Sequence, residues 1–467
     1  MTPVSPPRLG GRRVVVVGLA RSGVAAARLL SREGARVTVT DRRPEAELGP
    51  QLEALAGLDV RRALGGHGRA GLDTADLVVV SPGVPMSIPE IQEARRRGVP
   101  IWAEVELGAR FLGKTPVVAV TGTNGKSTTT ALCGALFAAD RPTFTGGNLG
   151  TPLCDHVLSG ERAEAAVLEL SSFQIEGLLS LRPRVAAVLN VTPDHLDRYR
   201  DVEEYAAAKA RLFALQGPGD AAVANARDDR ALAMASASRA ALHTFGFGPP
   251  APRAARDPGG EPSGDGATEI WVRLDGGGAP ERHRLRNRAL RGRHNRENAM
   301  AAVLCARLLG VPGEAVQRGL DGFPGLPHRL ELVSERGGVE WVNDSKATNV
   351  DSTQVGLSAF PAGAPRVVLI MGGRGKGAPY APLRPLFAGR VKALITLGED
   401  APAVERELGD LVPTEGCGDL AGAVRRAASL AGPGDVVLLS PACASYDQFR
   451  SYEERGAAFR RLVQELA

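Results

Sequence analysis

Between Val117 and Phe137 the chain reads VVAVTGTNGKSTTTALCGALF, an apolar strand that runs into a glycine-rich turn, then Lys-Ser-Thr, then a helix. A strand this apolar must be covered on both faces, and the turn into a helix supplies one cover, so the segment commits its surroundings to a parallel α/β layer structure. The turn also carries a chemistry. Backbone N–H groups of such a turn and of the helix N-terminus form an anion cradle, Lys126 can reach the β and γ phosphates of a nucleotide, and the Ser127 hydroxyl can hold Mg²⁺. Gly122, Thr123, Asn124, Gly125, Lys126, Ser127 and Thr128 are therefore the expected ATP contacts. The usual motif places its first glycine where this chain has Val120, and Gly122 comes closer in, so the loop is a shortened variant. An ordinary strand-to-helix turn is the plain alternative.

The same rhythm recurs along the 467 residues, a length that suits about three domains. VVVVG, ARVTVTD, ADLVVVSPG and VPIW alternate with helical patterns in the first hundred residues. AAVLELSSF and VAAVLN follow the phosphate loop, and VEWVND, RVVLIMGG, VKALITLG and DVVLLSPA make a third set, closed by the amphipathic YEERGAAFRRLVQELA. The expected architecture is three α/β domains: residues 1–102, Rossmann-like; 103–325, a central phosphate-loop domain on a parallel sheet; and 326–467, again Rossmann-like. The Gly/Pro/Asp-rich stretch from Phe247 to Arg284, interrupted by EIWVRLDGGG, reads as a surface loop leading into a short hairpin, a decoration on the central domain.

Charge and composition remove several functional classes. The net charge of +5 is spread through mixed acidic and basic residues with few aromatics, which is no nucleic-acid footprint. The longest aliphatic runs are too short to cross a bilayer, and the basic start lacks the apolar stretch of a secretory signal, so a cytoplasmic protein without membrane partners is expected. Five scattered cysteines read as reduced, mostly buried thiols. A monomer is expected. More telling is that only six of the 57 basic residues are lysine: Lys114, Lys126, Lys209, Lys346, Lys376 and Lys392. A lysine kept in so arginine-rich a chain marks places where a compact or deprotonatable amine is needed.

Three further segments point at the phosphate loop. Glu169 ends the apolar strand of VLELSSFQ, and in open α/β sheets the carboxyl ends of strands face the ligand crevice, where it can meet Mg²⁺ held at Ser127; pairing with a surface arginine is the alternative. VAAVLN spills into VTPDHLDRY and brings Asp194 and His195 to the same rim, His195 as a metal ligand or as a hydrogen-bonded rim residue. In DVEEYAAAKARLFAL, Asp201 with Glu204 resembles a capping box, and Val202, Tyr205, Ala206 and Phe213 form an apolar helix face on which Lys209 also falls. An inward lysine is costly, and desolvation lowers its pKa and exposes a nucleophilic amine. Snorkelling to the domain edge is the alternative.

In the first domain VVVVGLARSG sets Gly18 and Gly23 at a strand-to-helix turn, with Asp41 ending the next strand. It suggests a dinucleotide fold whose central glycine is replaced by Ala20, which holds a pyrophosphate less closely.

These residues together resemble the Mur ligases, ATP-dependent amide-forming enzymes of peptidoglycan precursor synthesis. TGTNGKSTT, LELSSFQ, NVTPDHLDRY, YAAAKARLF, GRHNRENAMAA, GLPHRLE and NDSKATN occur in the family's order over nearly the whole chain. NDSKATN and LLSPACASYDQF are similar to members that add D-glutamate to UDP-N-acetylmuramoyl-L-alanine. The resemblance implies that Asn295, Asn298, Arg329 and Asp344 complete the nucleotide site. It implies that Ser127 and Glu169 hold one Mg²⁺ and that His195 and Lys209 hold or support a second, Lys209 as a carbamate. Catalysis would rest on Lys126, Glu169, His195 and Lys209. Arg21, Ser22, Asp41, Arg42, Ser81, Pro82, Gly83 and Asn148 would contact the UDP-sugar substrate, and Lys346, Thr348, Lys376, Ser445 and Tyr452 the D-glutamate. The family more often has phenylalanine at the Tyr452 position and aspartate at the Arg374 position. Rival readings are another amide ligase of the superfamily, a phosphate-loop ATPase without ligase chemistry, and, weakest given Ala20, a nicotinamide dehydrogenase.

Overall fold

Val14 to Val17 show how the first sheet is built. Val14 and Val16 face one apolar cluster with Val37, Val39, Leu29 and Leu30, while Val15 and Val17 face another with Val78, Val80 and Ile91. The two-residue period of a strand sends alternate side chains to opposite faces, and here both faces are covered, so an unbroken β-branched run is stable in place. The computed structural model describes residues 6–196, 198–258, 268–274 and 279–466. Its first sheet has five parallel strands in the order Val60–Leu64, Arg36–Asp41, Arg13–Val17, Leu77–Val80, Ile101–Ala103.

The second sheet has nine strands. At its centre Val117–Thr121 pairs in parallel with Ala165–Glu169 on one side and Val185–Val188 on the other. Thr143–Gly147 lies beyond Ala165–Glu169. On the other flank come Ala221–Asn225, Ala241–Phe247 and Ala254–Asp257, all parallel, then Thr268–Arg273 and Glu281–Leu285 as an antiparallel hairpin. The chain leaves Val117–Thr121 toward one flank and later returns to the other. The turn after Thr121 is thus a topological switch point, the place where an open α/β sheet forms a ligand crevice.

The hairpin expected within Phe247–Arg284 is present, but the segment is more than a decoration: its three strands extend the central sheet. Ile270, Val272, His283 and Leu285 are buried on it while neighbouring side chains stay accessible, the alternation of a sheet edge covered on one face. Residues 259–267 and 275–278 of that stretch lie outside the described residues.

These two sheets belong to one compact unit, which comprises the chain up to Leu285 together with Glu297–Asp321. A second unit, Arg286–Arg296 with Gly322 onward, holds the third sheet. Its six strands run in the order Glu331–Arg336, Val339–Asn343, Val436–Leu439, Val367–Gly372, Val391–Leu397, Thr414–Gly416, antiparallel in the first pair and parallel elsewhere. Among the described residues no helix is long and apolar enough to cross a membrane.

Candidate active site

The turn after Thr121 is held open by its own residues. Gly125, at φ +84°, adopts a left-handed conformation that only glycine takes without strain, and a Cβ there would overlap Oδ1 of Asn298. Asn298 is buried and accepts from the Thr129 hydroxyl at 3.2 Å, so the helix carrying it packs directly on the loop. Asn190 braces the other side, its carbonyl accepting from Thr123 N at 2.9 Å and its Oδ1 from Asn124 N at 2.8 Å. Lys126, at the start of the helix Lys126–Ala138, donates to the carbonyls of Gly122 and Thr123 at 2.9 and 2.8 Å, which holds the ammonium over the turn.

Lys209 reaches the same turn from a different helix. Val202–Ala214 buries Tyr205, Ala206, Ala208, Lys209, Leu212 and Phe213, so the helical spacing does turn the lysine inward. The Asp201 side chain caps the helix by accepting from Glu204 N at 2.8 Å, but the carboxylate of Glu204 takes the N–H of Arg200. The reciprocal half of the expected capping box thus slips by one residue. Lys209 is 1% exposed; its Nζ donates to the Gly122 carbonyl at 3.0 Å and sits 4.3 Å from the Tyr205 ring centre. Burial and then the charge of Lys126 push its pKa down from 10.5 to about 7, against a smaller opposing pull from Asp194.

Glu169 ends its strand in register with Val120, one strand over from the loop. One carboxylate oxygen accepts from Asn148 Nδ2 at 2.7 Å. The other is shielded from water and has no hydrogen-bond partner among the described residues, an arrangement that is costly unless something positive meets it. Among the described residues no three His, Cys, Asp or Glu side chains gather as a metal cage. A single free carboxylate oxygen at the end of the strand next to the phosphate loop nevertheless suits Mg²⁺, which takes few protein ligands and completes its shell with phosphate and water. His195, at φ +54°, is half-exposed, with its ring 4.9 Å from Phe173 and 6.1 Å from Tyr205.

The first-domain candidates gather around a second turn. Ser81 Oγ donates to the Gly18 carbonyl at 2.8 Å, and a Cβ on Gly23 would overlap that same carbonyl, which explains glycine at the helix start. Asp41 accepts from Leu19 N at 2.8 Å and from Arg43. Burial alone would raise the Asp41 pKa, but the Arg43 and Leu19 hydrogen bonds outweigh it and bring it to about 2. Arg42 is exposed; Arg43, which sequence reading passed over, makes the ion pair. Arg21 Nη1 reaches the Gly150 carbonyl at 3.2 Å, beside Asn148, and Ser22 follows it in the first helical turn. Pro82 and Gly83 continue the turn from Ser81.

In the second unit, Lys346 Nζ donates to Tyr452 Oη at 2.8 Å, and Lys376 Nζ lies 3.5 Å from Thr348 Oγ1. Ser445 is buried, its carbonyl accepting from Phe449 N. Arg374 is tied to Glu399 at 2.8 and 2.9 Å. A buried arginine that sequence reading missed, Arg455, donates to Ser345 and to the Cys443 carbonyl, joining the loops that carry Lys346 and Ser445. Asp344 is buried, accepts from Ser440 Oγ at 2.9 Å, and is pushed up to about 7 by burial. Arg329 contributes only a weak opposing charge to it, and Asn295 donates to the Arg291 carbonyl at 3.1 Å.

Comparison with known proteins gives the family and the order of its domains. Three family models match in order: "Mur ligase MurD-like, N-terminal domain" over residues 12–103, "Mur ligase middle domain" over 120–306, and "Mur ligase, glutamate ligase domain" over 328–443. The UDP-N-acetylmuramoylalanine–D-glutamate ligase of Anaeromyxobacter dehalogenans is 76% identical over 99% of this chain and 100% of its own length, and that of Myxococcus xanthus is 52% identical over 98% and 99%. Among solved structures, MurF from Acinetobacter baumannii has a TM-score of 0.62 at 18% identity, covering 96% of this chain and 93% of its own. UDP-N-acetylmuramate-alanine ligase from Thermotoga maritima has 0.60 at 20%, covering 97% and 99%. Those two likenesses speak for the three-domain fold, and the full-length identities for more: the chain belongs to the Mur ligase family.

Proposed function

We propose that this chain is an ATP-dependent ligase that joins D-glutamate to UDP-N-acetylmuramoyl-L-alanine in peptidoglycan precursor synthesis. The observation that carries the chemistry is the meeting of Lys126 and the buried Lys209 on one carbonyl of the phosphate loop. A phosphate-loop ATPase needs the first lysine; a second, desolvated amine at the same place has no use in simple hydrolysis. The substrates are supported by the full-length relatives, which carry that activity in their names.

The γ-phosphoryl of ATP passes to the terminal carboxylate of the muramoyl nucleotide, a P–O bond to ADP breaking as the acyl phosphate forms. Lys126 lies over the cradle formed by Gly122 to Thr128, where it offsets charge on the phosphoryl oxygens. Asn298 keeps the loop in shape from behind. Ser127 and the unpartnered oxygen of Glu169 would hold Mg²⁺, which when bound supplies further charge neutralisation at the phosphates. The neutral Lys209 amine can add to CO₂ with loss of a proton, and the resulting carbamate with His195 would support a second cation, as the family resemblance implies. Arg21, Ser22, Asp41, Arg42, the Ser81–Gly83 turn and Asn148 are proposed to take the UDP-sugar end. Lys346, Thr348, Lys376, Ser445 and Tyr452 are proposed to take D-glutamate, two cations suiting its two carboxylates. Its amine attacks the acyl carbon, phosphate leaves, and an amide remains.

Measuring ADP formation with the muramoyl nucleotide and D-glutamate, L-glutamate or L-alanine tests the reading. Turnover is expected with D-glutamate alone. ADP formation that needs no amino acid, or that prefers L-alanine, would overturn it.

A further inference from the structure

Arg198 follows His195 by three residues, yet its side chain leaves the phosphate loop and reaches the first domain. Its Nη1 donates to the Pro82 carbonyl at 3.2 Å and its Nη2 to the Val84 carbonyl at 3.3 Å. Those acceptors flank Gly83, in the turn proposed to contact the nucleotide sugar. Nη2 also lies 3.5 Å from Glu176 Oε2, and the guanidinium stacks 3.7 Å from the Phe173 ring centre. Only 14% of the side chain is exposed. A planar fork that satisfies two carbonyls and a carboxylate while stacking on a ring is a task for arginine, which lysine cannot reproduce.

The other end of this contact is the metal-side histidine. The N–H groups of Arg198 and Tyr199 both donate to the His195 carbonyl, at 2.9 and 3.0 Å, within the turn where His195 takes its left-handed backbone. That conformation carries strain for a non-glycine residue and persists where its surroundings fix it. The His195 ring packs on Phe173, the same ring that Arg198 covers. Tyr199 Oη donates to the other oxygen of Glu176 at 2.6 Å, which fixes the carboxylate that Arg198 meets. One side chain thus fastens the substrate turn of the first domain to the backbone turn that aims His195.

We infer that Arg198 is a positioning residue that sets the muramoyl nucleotide against the phosphoryl-transfer centre by clamping the Ser81–Gly83 turn to the His195 loop. The inference rests on the proposed role of that turn. The Arg198 side chain meets Pro82, Val84, Glu176 and Phe173 and none of the phosphate-loop residues Gly122 to Thr128. Weakened binding from its loss should therefore fall chiefly on the muramoyl nucleotide, with any misaiming of His195 appearing in kcat.

The test compares Arg198→Lys and Arg198→Met with the unaltered chain, varying each substrate in turn and titrating the muramoyl nucleotide calorimetrically without ATP. In Arg198→Met the KM and Kd for the muramoyl nucleotide should rise about tenfold or more, with those for ATP and D-glutamate held within about twofold. Arg198→Lys, which keeps charge without the fork, should fall between, and it carries the test if the methionine variant does not fold. Equal changes for all three substrates, or an unchanged muramoyl Kd, would overturn the inference. An unaltered enzyme that binds the muramoyl nucleotide but ignores D-glutamate would sink the proposed function instead, and the Kd comparison would still judge the clamp.

Discussion

Lys126 and Lys209 donate to one oxygen, the carbonyl of Gly122, at 2.9 and 3.0 Å. Two ammonium groups sharing an acceptor repel, and the more deeply buried of them yields its proton first. Lys209, brought to about 7, is that one. Its role therefore depends on being able to lose charge, which arginine at this position could not do. Lys209→Ala and Lys209→Arg should each lower kcat by at least about a hundredfold with the fold intact. A short carboxylic acid should partly restore Lys209→Ala by taking the place of the carbamate proposed there. Restoration by a simple amine would contradict the assignment.

The same residue fixes a pH dependence. Its folded pKa of about 7 lies below the ordinary 10.5, so between those values the unfolded chain holds a proton that the folded chain has released. The contribution of Lys209 to stability accordingly rises with pH through that window and is least favourable below about 7. Activity that requires the neutral amine should likewise fall as pH drops through about 7. Denaturant titrations of the unaltered chain and of Lys209→Met across the window should show the slope shrinking in the variant. Parallel curves would disprove it.

Glu169 offers a metal-specific test. Glu169→Gln keeps the size and the Asn148 contact but removes the charge that an ion would meet. ADP formation should fall at least about a hundredfold, while melting temperature stays level or rises because a buried, half-unpaired charge is gone. Chelation should silence the unaltered enzyme and Mg²⁺ restore it, with the variant needing far more Mg²⁺. A variant with normal Mg²⁺ dependence would remove Glu169 from the metal site.

Tyr452 and Lys346 test the amino-acid end. The Tyr452 hydroxyl accepts from Lys346 at 2.8 Å, a contact that a phenylalanine would not provide. Lys346→Met should raise the KM for D-glutamate by about tenfold or more, leaving that for ATP little changed, if Lys346 is the charged partner of the substrate proposed above. Tyr452→Phe should shift it by only about two- to threefold, one neutral hydrogen bond's worth. A larger effect at Tyr452 than at Lys346 would reverse their assigned ranks.

What could be read without coordinates follows how local each signal is. Val14 to Val17 announce a buried strand because the cause, β-branched residues in a row, is contained in the segment itself. Lys209 is legible because helical spacing sets it among Tyr205, Ala206 and Phe213. The three edge strands of the central sheet were harder: ERHRL is mostly polar because one face meets solvent, and the Gly/Pro-rich flanks hide it. Arg43, Arg198 and Arg455 left no signal, since each is one arginine among many and its meaning lies in partners elsewhere in the chain. The slip of Glu204 from Asp201 to the Arg200 N–H was equally invisible, because it depends on where the incoming chain turns.

Asp344 reverses the usual acid behaviour of a carboxylate. It is buried, and desolvation raises it from 3.8 to about 7, with weaker opposing pulls from Ser440, the Leu330 N–H and Arg329. A folded pKa above the unfolded one means that the folded state binds the proton more tightly. The penalty for ionising Asp344 is absent below about 3.8, grows as pH rises, and is complete above about 7, where it amounts to a few kcal/mol. Glu104, also buried and raised to about 7, adds a second contribution of the same sign. Asp344→Asn should therefore be about as stable as the unaltered chain near pH 4 and more stable near pH 8, with part of the alkaline loss remaining because Glu104 is untouched. Chemical denaturation at the two pH values measures the difference. If the asparagine variant is destabilised more at pH 8 than at pH 4, the carboxylate's hydrogen bonds to Ser440 and Leu330 outweigh its desolvation, and the raised pKa is wrong in sign; an equal change at both would mean no shift at all.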